Sequence, residues 1–250
     1  MNSTTTLESL LESANWDAVV EAQREGPLAL PAVRLYAHSS NYRSRQIATA
    51  CAARIGGTEA TEILASGLAD SNINVQLTAA RELSSGAFPV AATQILEALA
   101  DARQDVVVRE PLSLAAGYIP GDRTLAILHP LAEGGGTLAT NARMALARLG
   151  DAKARAQLKN DLSSAVPRTR YETLDHLRYV GDLNLIPSVK KLLDDREHAR
   201  RIGTARHPRF RRVCDQAVDT TVFLLHLPFP AAPEKIYTDQ ELARVRELAR

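Results

Sequence analysis

Between positions 196 and 212 the chain carries Arg196, Arg200, Arg201, Arg206, Arg209, Arg211 and Arg212, with His198 and His207 among them and Glu197 as the only acid. With neutral histidines these 17 residues carry a net charge of +6. A guanidinium offers a planar fork of donors that matches carboxylate and phosphate oxygens two at a time. The stretch is therefore a candidate grip for an acidic protein surface or a phosphate backbone. The competing reading is a solvated loop partly neutralised by Asp194, Asp195, Asp215 and Asp219. Phe210 is the only aromatic residue inside the cluster, whereas a platform for single-stranded nucleic acid needs several stacking faces. A second set, Arg45, Arg81, Arg109, Arg143 and Arg170, recurs along the chain in helical contexts. Arg109, Arg143 and Arg170 are taken as further partner-binding candidates, against the alternative that they pair with neighbouring acids.

Other chemistry finds little support. Gly134-Gly135-Gly136 lacks both phosphate-loop patterns and follows a helix, so it reads as a turn. The six histidines show no paired metal spacing, and His198, His207 and Asp194 form a weak set; no metal site and no cofactor are expected. No serine lies in a Gly-x-Ser-x-Gly elbow. Glu172 with His176, and Arg211 with Asp215 and Asp219, have the i, i+4 spacing of surface salt links on a helix. Cys51 and Cys214 fall in apolar segments and are expected as buried free thiols. No catalytic residue emerges.

The elements that position these residues follow a period. His38, Asp70, Asp101, Glu133, Ser164 and Asp195 stand 31 or 32 residues apart, each just after an apolar helix. From Asp70 on, a leucine precedes each mark by two residues (Leu68, Leu99, Leu131, Leu162, Leu193) and an aliphatic residue by six (Leu64, Ile95, Ile127, Leu158, Val189). That spacing puts both on one helix face. A period of this length means one helix–turn–helix unit stacked repeatedly. Second helices end at glycines such as Gly56, Gly117, Gly150 and Gly181, natural left-handed caps. Pro31, Pro111, Pro130 and Pro187 fall inside predicted helices, where each marks a first turn or a kink. Strand signals are nearly absent.

The units resemble HEAT repeats, more narrowly the short HEAT-like type named after phycobilisome lyases. Leu68-Ala-Asp70 followed by Val75-Gln76 and an Ala-rich helix to Leu83 matches that pattern, with Gln76 in place of arginine. Leu99-Ala-Asp101 with Val108-Arg109 matches with two extra turn residues, and Leu162-Ser-Ser164 with Thr169-Arg170 keeps the spacing but loses the acid. The resemblance covers about residues 27–227. It implies an all-α, right-handed α-solenoid of about six helix pairs, in which Asp70, Asp101 and Asp195 hold turns and the second helices line a concave face. It also brings enzyme precedents. A bilin lyase would want an aromatic-rich segment, and a DNA glycosylase of this kind would want tryptophans in a cleft; Trp16, the sole tryptophan, lies near the N-terminus.

The expected organisation is a helical cap over 1–26, a repeat array over 27–227 with a basic insertion at 196–212, and a linker through Pro233 to a capping helix over 228–250. That last helix opens on a capping box, Thr238 to Glu241, and turns Leu242, Val245 and Leu248/Ala249 to one face. Hydrophobic content of 45% with only 4% aromatics implies a core of small aliphatic side chains between closely packed helices. A net charge of +1 gives no global pull toward nucleic acid or an anionic membrane. Twenty-five arginines against five lysines hint at a GC-rich bacterial source. The N-terminus shows no signal-peptide pattern and no stretch reaches the ~20 apolar residues of a membrane span, so a cytoplasmic protein is expected. The leading expectation is a non-catalytic scaffold (adaptor, assembly chaperone or immunity-type protein) that binds an acidic protein partner, with nucleic acid as the alternative.

Overall fold

The Leu–aliphatic pairs do what their spacing predicts: Leu64, Leu68, Ile95, Leu99, Leu158, Leu162, Val189 and Leu193 are all buried. Burying each such side chain contributes about 1.5–3 kcal/mol. In the computed structural model, which describes residues 6–232 and 234–250, they drive a chain of short helices. The helices are α1 (Leu7–Glu12), α2 (Asp17–Glu25), α3 (Leu30–Tyr36), α4 (Tyr42–Ile55), α5 (Gly57–Ser66), α6 (Ile73–Leu83), α7 (Ala92–Ala100), α8 (Val106–Ala116), α9 (Asp122–Ala132) and α10 (Gly136–Leu149). There follow α11 (Ala152–Asp161), α12 (Pro167–Val180), α13 (Ile186–Lys191), α14 (Val213–Leu225) and α15 (Asp239–Leu248). The architecture is an all-α solenoid of helix pairs. Pro233 of the expected linker lies outside the described residues.

The described residues gather into two units, one ending at Leu149 and one beginning at Gly150. The first unit stacks α4, α6, α8 and α10 as successive second helices, and α2 packs on α4 in the same manner. The predicted N-terminal cap is therefore itself a helix pair. Polar rungs tie neighbouring layers: Gln46 Nε2 donates to Thr78 Oγ1 (3.1 Å), Gln104 Nε2 to Gln76 Oε1 (2.9 Å) and Asn141 Nδ2 to the Glu110 carbonyl (2.9 Å). Gln76, standing where the repeat pattern has arginine, thus links to the next layer.

Two local expectations are corrected. In α9 the buried face is Thr124, Leu128 and Ala132, one residue out of phase with Ile127 and Leu131, which are half-exposed. Asp70 and Asp101 hold turns, as the resemblance implies. Their carboxylates accept from the amides of Asn72 (2.8 Å) and Arg103 (2.9 Å), closing turns ahead of the caps, which are Asn72 and Asp105. Gly181 takes the left-handed conformation (φ 72°), whereas Gly117 stays right-handed at φ −65°. Pro31 and Pro187 occupy first turns, and Pro111 and Pro130 lie inside α8 and α9. Cys51 and Cys214 are buried free thiols; burial pushes the Cys51 thiol up to about 12.

In the second unit α12 packs on α14, with α13 and α15 against α14. Here the insertion departs from the expected loop. It forms an antiparallel hairpin of β1 (His198–Gly203) and β2 (Pro208–Arg212), with Arg200 opposite Arg211, Arg201 opposite Phe210 and Ile202 opposite Arg209. Its turn uses Gly203 at φ 79°, where a Cβ would stand 2.6 Å from the His207 carbonyl oxygen, so only glycine fits. Burial does not alternate along either strand, and Arg211 occupies a buried position that an aliphatic residue would normally fill.

Candidate functional site

The hairpin stands on a network of buried charges. Arg211, only 3% exposed, donates from Nη2 to Asp219 Oδ2 (2.7 Å) and from Nη1 to Tyr171 Oη (3.0 Å) and Gln216 Oε1 (3.2 Å). Asp219 Oδ1 accepts from Tyr237 Oη (2.6 Å). Arg212 donates to both oxygens of Asp215 (3.1 and 2.8 Å) and to the Tyr237 carbonyl (2.6 Å), and the Tyr237 amide donates back to Asp215 Oδ1 (3.0 Å). Burial and the bond to Asp219 raise the Tyr237 hydroxyl well above its ordinary pKa, so it stays a donor. Arg211 lies on β2 and not on α14, so the expected surface pairs of Arg211 with Asp215 and Asp219 are replaced by this interior network. It reaches α12, β2, α14 and the segment before α15 together.

Arg170 holds the other side of the hairpin base. Its Nε donates to Asp195 Oδ2 (2.7 Å), Nη1 to the Ser164 carbonyl (2.6 Å) and Nη2 to Glu197. The chain closes there as well, because Val213 N donates to the Glu197 carbonyl (3.0 Å) and Cys214 N to that of Asp195 (2.8 Å). Arg109 Nε donates to the Leu99 carbonyl (3.0 Å) and Arg143 Nη1 to that of Ala132 (2.7 Å), each holding its own turn in the first unit. Arg109, Arg143, Arg170, Arg211 and Arg212, expected to reach a partner, each spend at least one guanidinium donor inside the molecule. Arg81 is exposed and out of register with Arg45, Arg109, Arg143 and Arg170.

The remaining arginines differ. Arg196 is exposed and pairs with Asp239 (2.7 Å). Arg200, Arg201, Arg206 and Arg209 are exposed, and among the described residues none has an acid within ion-pair distance. On the same hairpin His198 stacks on Phe210, ring centroids 5.6 Å apart, and Phe210 is 45% exposed. Between β1 and α12 lies a cleft of about 410 Å³ lined in part by Arg168, Glu172, His176, Arg200 and Arg201. Glu172 accepts from Arg168 Nε (2.7 Å), so it is the arginine, and not His176, that pairs with it. Burial pulls the His176 imidazole below its ordinary pKa despite Asp175, Glu172 and Asp161, which keeps it neutral at neutral pH. The arrangement is suited to hold carboxylate or phosphate oxygens. Among the described residues no three His, Cys, Asp or Glu side chains are placed to hold a metal ion, and no helix is long and apolar enough to cross a membrane.

Tyr171, Gln216 and Tyr237, which complete the base, carry no sequence signal of their own. Asp215 and Asp219 were visible as candidate neutralisers and as i, i+4 partners of Arg211.

No family model and no curated sequence matches the chain. Solved structures do. The complex of CpcE and CpcF of phycocyanin lyase from Nostoc sp. PCC7120 contains a chain that matches over 99% of this one and 90% of its own length, at 16% identity and a TM-score of 0.60. The Escherichia coli protein YibA matches over 100% of this chain and 92% of its own length, also at 16% identity, with a TM-score of 0.52. The chain therefore has a HEAT-like helical fold. At such identities the likeness reaches the fold and stops there.

Proposed function

We propose that this protein is a non-catalytic binding scaffold, acting in the cytoplasm of a bacterial cell, that recognises an acidic protein surface through the exposed arginines of its hairpin. One observation carries this: Arg200, Arg201, Arg206 and Arg209 are unneutralised and project from a hairpin whose base is fixed by buried ion pairs. A pre-ordered support spares the cost of ordering the backbone on binding, leaving only the side chains, at about 0.5–1.5 kcal/mol each, to be fixed. The short-repeat subtype of the HEAT family fits the Leu-x-Asp turns. That a protein of this fold occurs in a complex of two proteins agrees with a partner-binding role.

The test uses the whole chain and the variant with Arg200, Arg201, Arg206 and Arg209 all changed to Glu, presented to nuclease-treated extract of the native cell. A single protein is expected to be retained by the wild type and lost with the variant, whose helical circular dichroism is unchanged. Equal retention by both overturns the site. Retention of nucleic acid alone when the nuclease is omitted, with log affinity falling against log salt at a slope of about −3 to −4 for four phosphate contacts, replaces the protein partner with a phosphate backbone.

A further inference from the structure

The cleft between β1 and α12 has two unlike walls. From α12 come Arg168, Tyr171, Glu172, Asp175 and His176, whose i, i+3, i+4, i+7, i+8 spacing is one helix face. From β1 come Ala199, Arg200 and Arg201, three residues in a row. Successive strand residues point to opposite faces, so a sheet face would supply only every second residue. A consecutive run means that the strand lines the cleft with its edge. The cleft is thus a groove between a strand edge and a helix face.

That edge carries unused backbone groups. Pro208 has no N–H, so its pairing with Gly203 is of the non-bonded kind, and the two kinds alternate along an antiparallel ladder. Ile202 with Arg209 and Arg200 with Arg211 are therefore the bonded pairs, and Arg201 aims its N–H and C=O away from β2. Among the described residues no other element bonds to either group. Charge then sorts the occupants. Glu172 is paired with Arg168, and Asp175 with Arg178 and Gln216, whereas Arg200 and Arg201 meet no acid among the described residues. Positive charge on an edge ordinarily discourages a further strand. A second copy of this chain brings the same arginines and is repelled, while a strand bearing carboxylates relieves them.

We infer that β1 takes up an acidic segment of a partner protein as a third strand, bonded through the outward N–H and C=O of Arg201. Main-chain bonds give such a contact its affinity, and alternate side chains give it selectivity. Arg200 and Arg201 point to opposite faces, so two adjacent acids in the segment meet them both, one on each face. The inference rests on the hairpin reading and deepens it. Exposed arginines grip a protein surface by their side chains alone, whereas this contact also requires the backbone of β1.

The experiment titrates acetyl-Thr-Val-Glu-Glu-Val-Thr-amide into the full-length, nitrogen-15-labelled protein and follows the assigned backbone amides by NMR. Beside it run a Gln-Gln form of the peptide and two forms N-methylated at alternate residues, one for each phase. Saturable shifts centred on Ala199 to Arg201 are expected, with hydrogen exchange at the Arg201 amide slowed at least about tenfold at saturation. The N-methylated form blocked on the side facing β1 should lose about tenfold in affinity, and the opposite phase should stay within about threefold of the parent. The Gln-Gln form should bind about tenfold more weakly. No saturable shift, equal binding by the Gln-Gln form, or both N-methylated forms behaving alike with Arg201 exchange unchanged overturns the inference. The last of these leaves side-chain binding by the arginines intact. The pull-down with the four-arginine variant tests that side-chain reading by itself, so the two fail separately.

Discussion

Arg45 in the first unit and Arg170 in the second make the same clamp. Each reaches an aspartate 25 residues ahead through Nε at 2.7 Å, Asp70 in one case and Asp195 in the other. Each also donates from Nη1 to a carbonyl six residues back, at Ser39 (2.8 Å) or Ser164 (2.6 Å). The two part company beyond the aspartate. After Asp70 the chain turns at once into α6; after Asp195 it leaves for a hairpin and returns at α14. The second clamp accordingly takes on Glu197 as an additional acid. A repeat can thus host an insertion without losing its own turn, provided the residues that lock the turn also lock the root of the insertion.

The largest effect that would break this picture lies at that root. Arg211→Ala leaves Asp219 buried without its cation, and a severed buried pair costs about 3–5 kcal/mol. Urea unfolding of this variant should show the second unit lost well before the first; a midpoint equal to wild type would mean the network is not holding the hairpin. A smaller effect sharpens the comparison directly. Arg45→Ala and Arg170→Ala each remove a part-buried charged hydrogen-bond set, at about 1.5–3 kcal/mol in all. Arg170→Ala should cost more, because Glu197 and Asp195 are then left together, and equal losses would deny Glu197 a role. The smallest effect concerns pH. Burial alone would raise the Asp70 carboxyl, but the Arg45 guanidinium and the Asn72 amide outweigh it and hold it below the usual carboxylate range. Because the folded pKa is the lower one, this stability is fully present above about pH 4 and is lost as pH falls through the folded value. Asp70→Asn should flatten the acid limb of the melting temperature below about pH 4, and an unchanged limb would remove Asp70 from the acid response.

Much of the fold was legible because aliphatic residues at fixed helical spacing have few ways to be satisfied. Leu99 and Val189 are buried wherever that helix packs. Where the chain slipped by one residue in α9, Leu128 and Ala132 served as well as Ile127 and Leu131, and the sequence pattern does not distinguish the two faces. The candidate site was half legible. Charge marked the segment, and four of its arginines do face outward. It did not mark the hairpin, since strands are read from apolar alternation and Arg211 sits where that alternation needs an apolar side chain. Arg211 and Arg209 are the same letter two positions apart, one buried among acids and the other in water. The difference between them is made by Tyr171, Gln216, Asp219 and Tyr237, which meet only after folding.

The amide of Val213 returning to the carbonyl of Glu197 has a consequence for how such a protein changes over time. The chain departs from the repeat and re-enters it at nearly one point, so lengthening the excursion adds only a logarithmic entropy cost. Residues of the hairpin tip, from Thr204 to His207, can then be exchanged, extended or replaced by another reading head while the helices beneath keep their register. Lineages that share this frame would diverge fastest at that tip, and a grafted recognition loop placed there would inherit a ready-made mount.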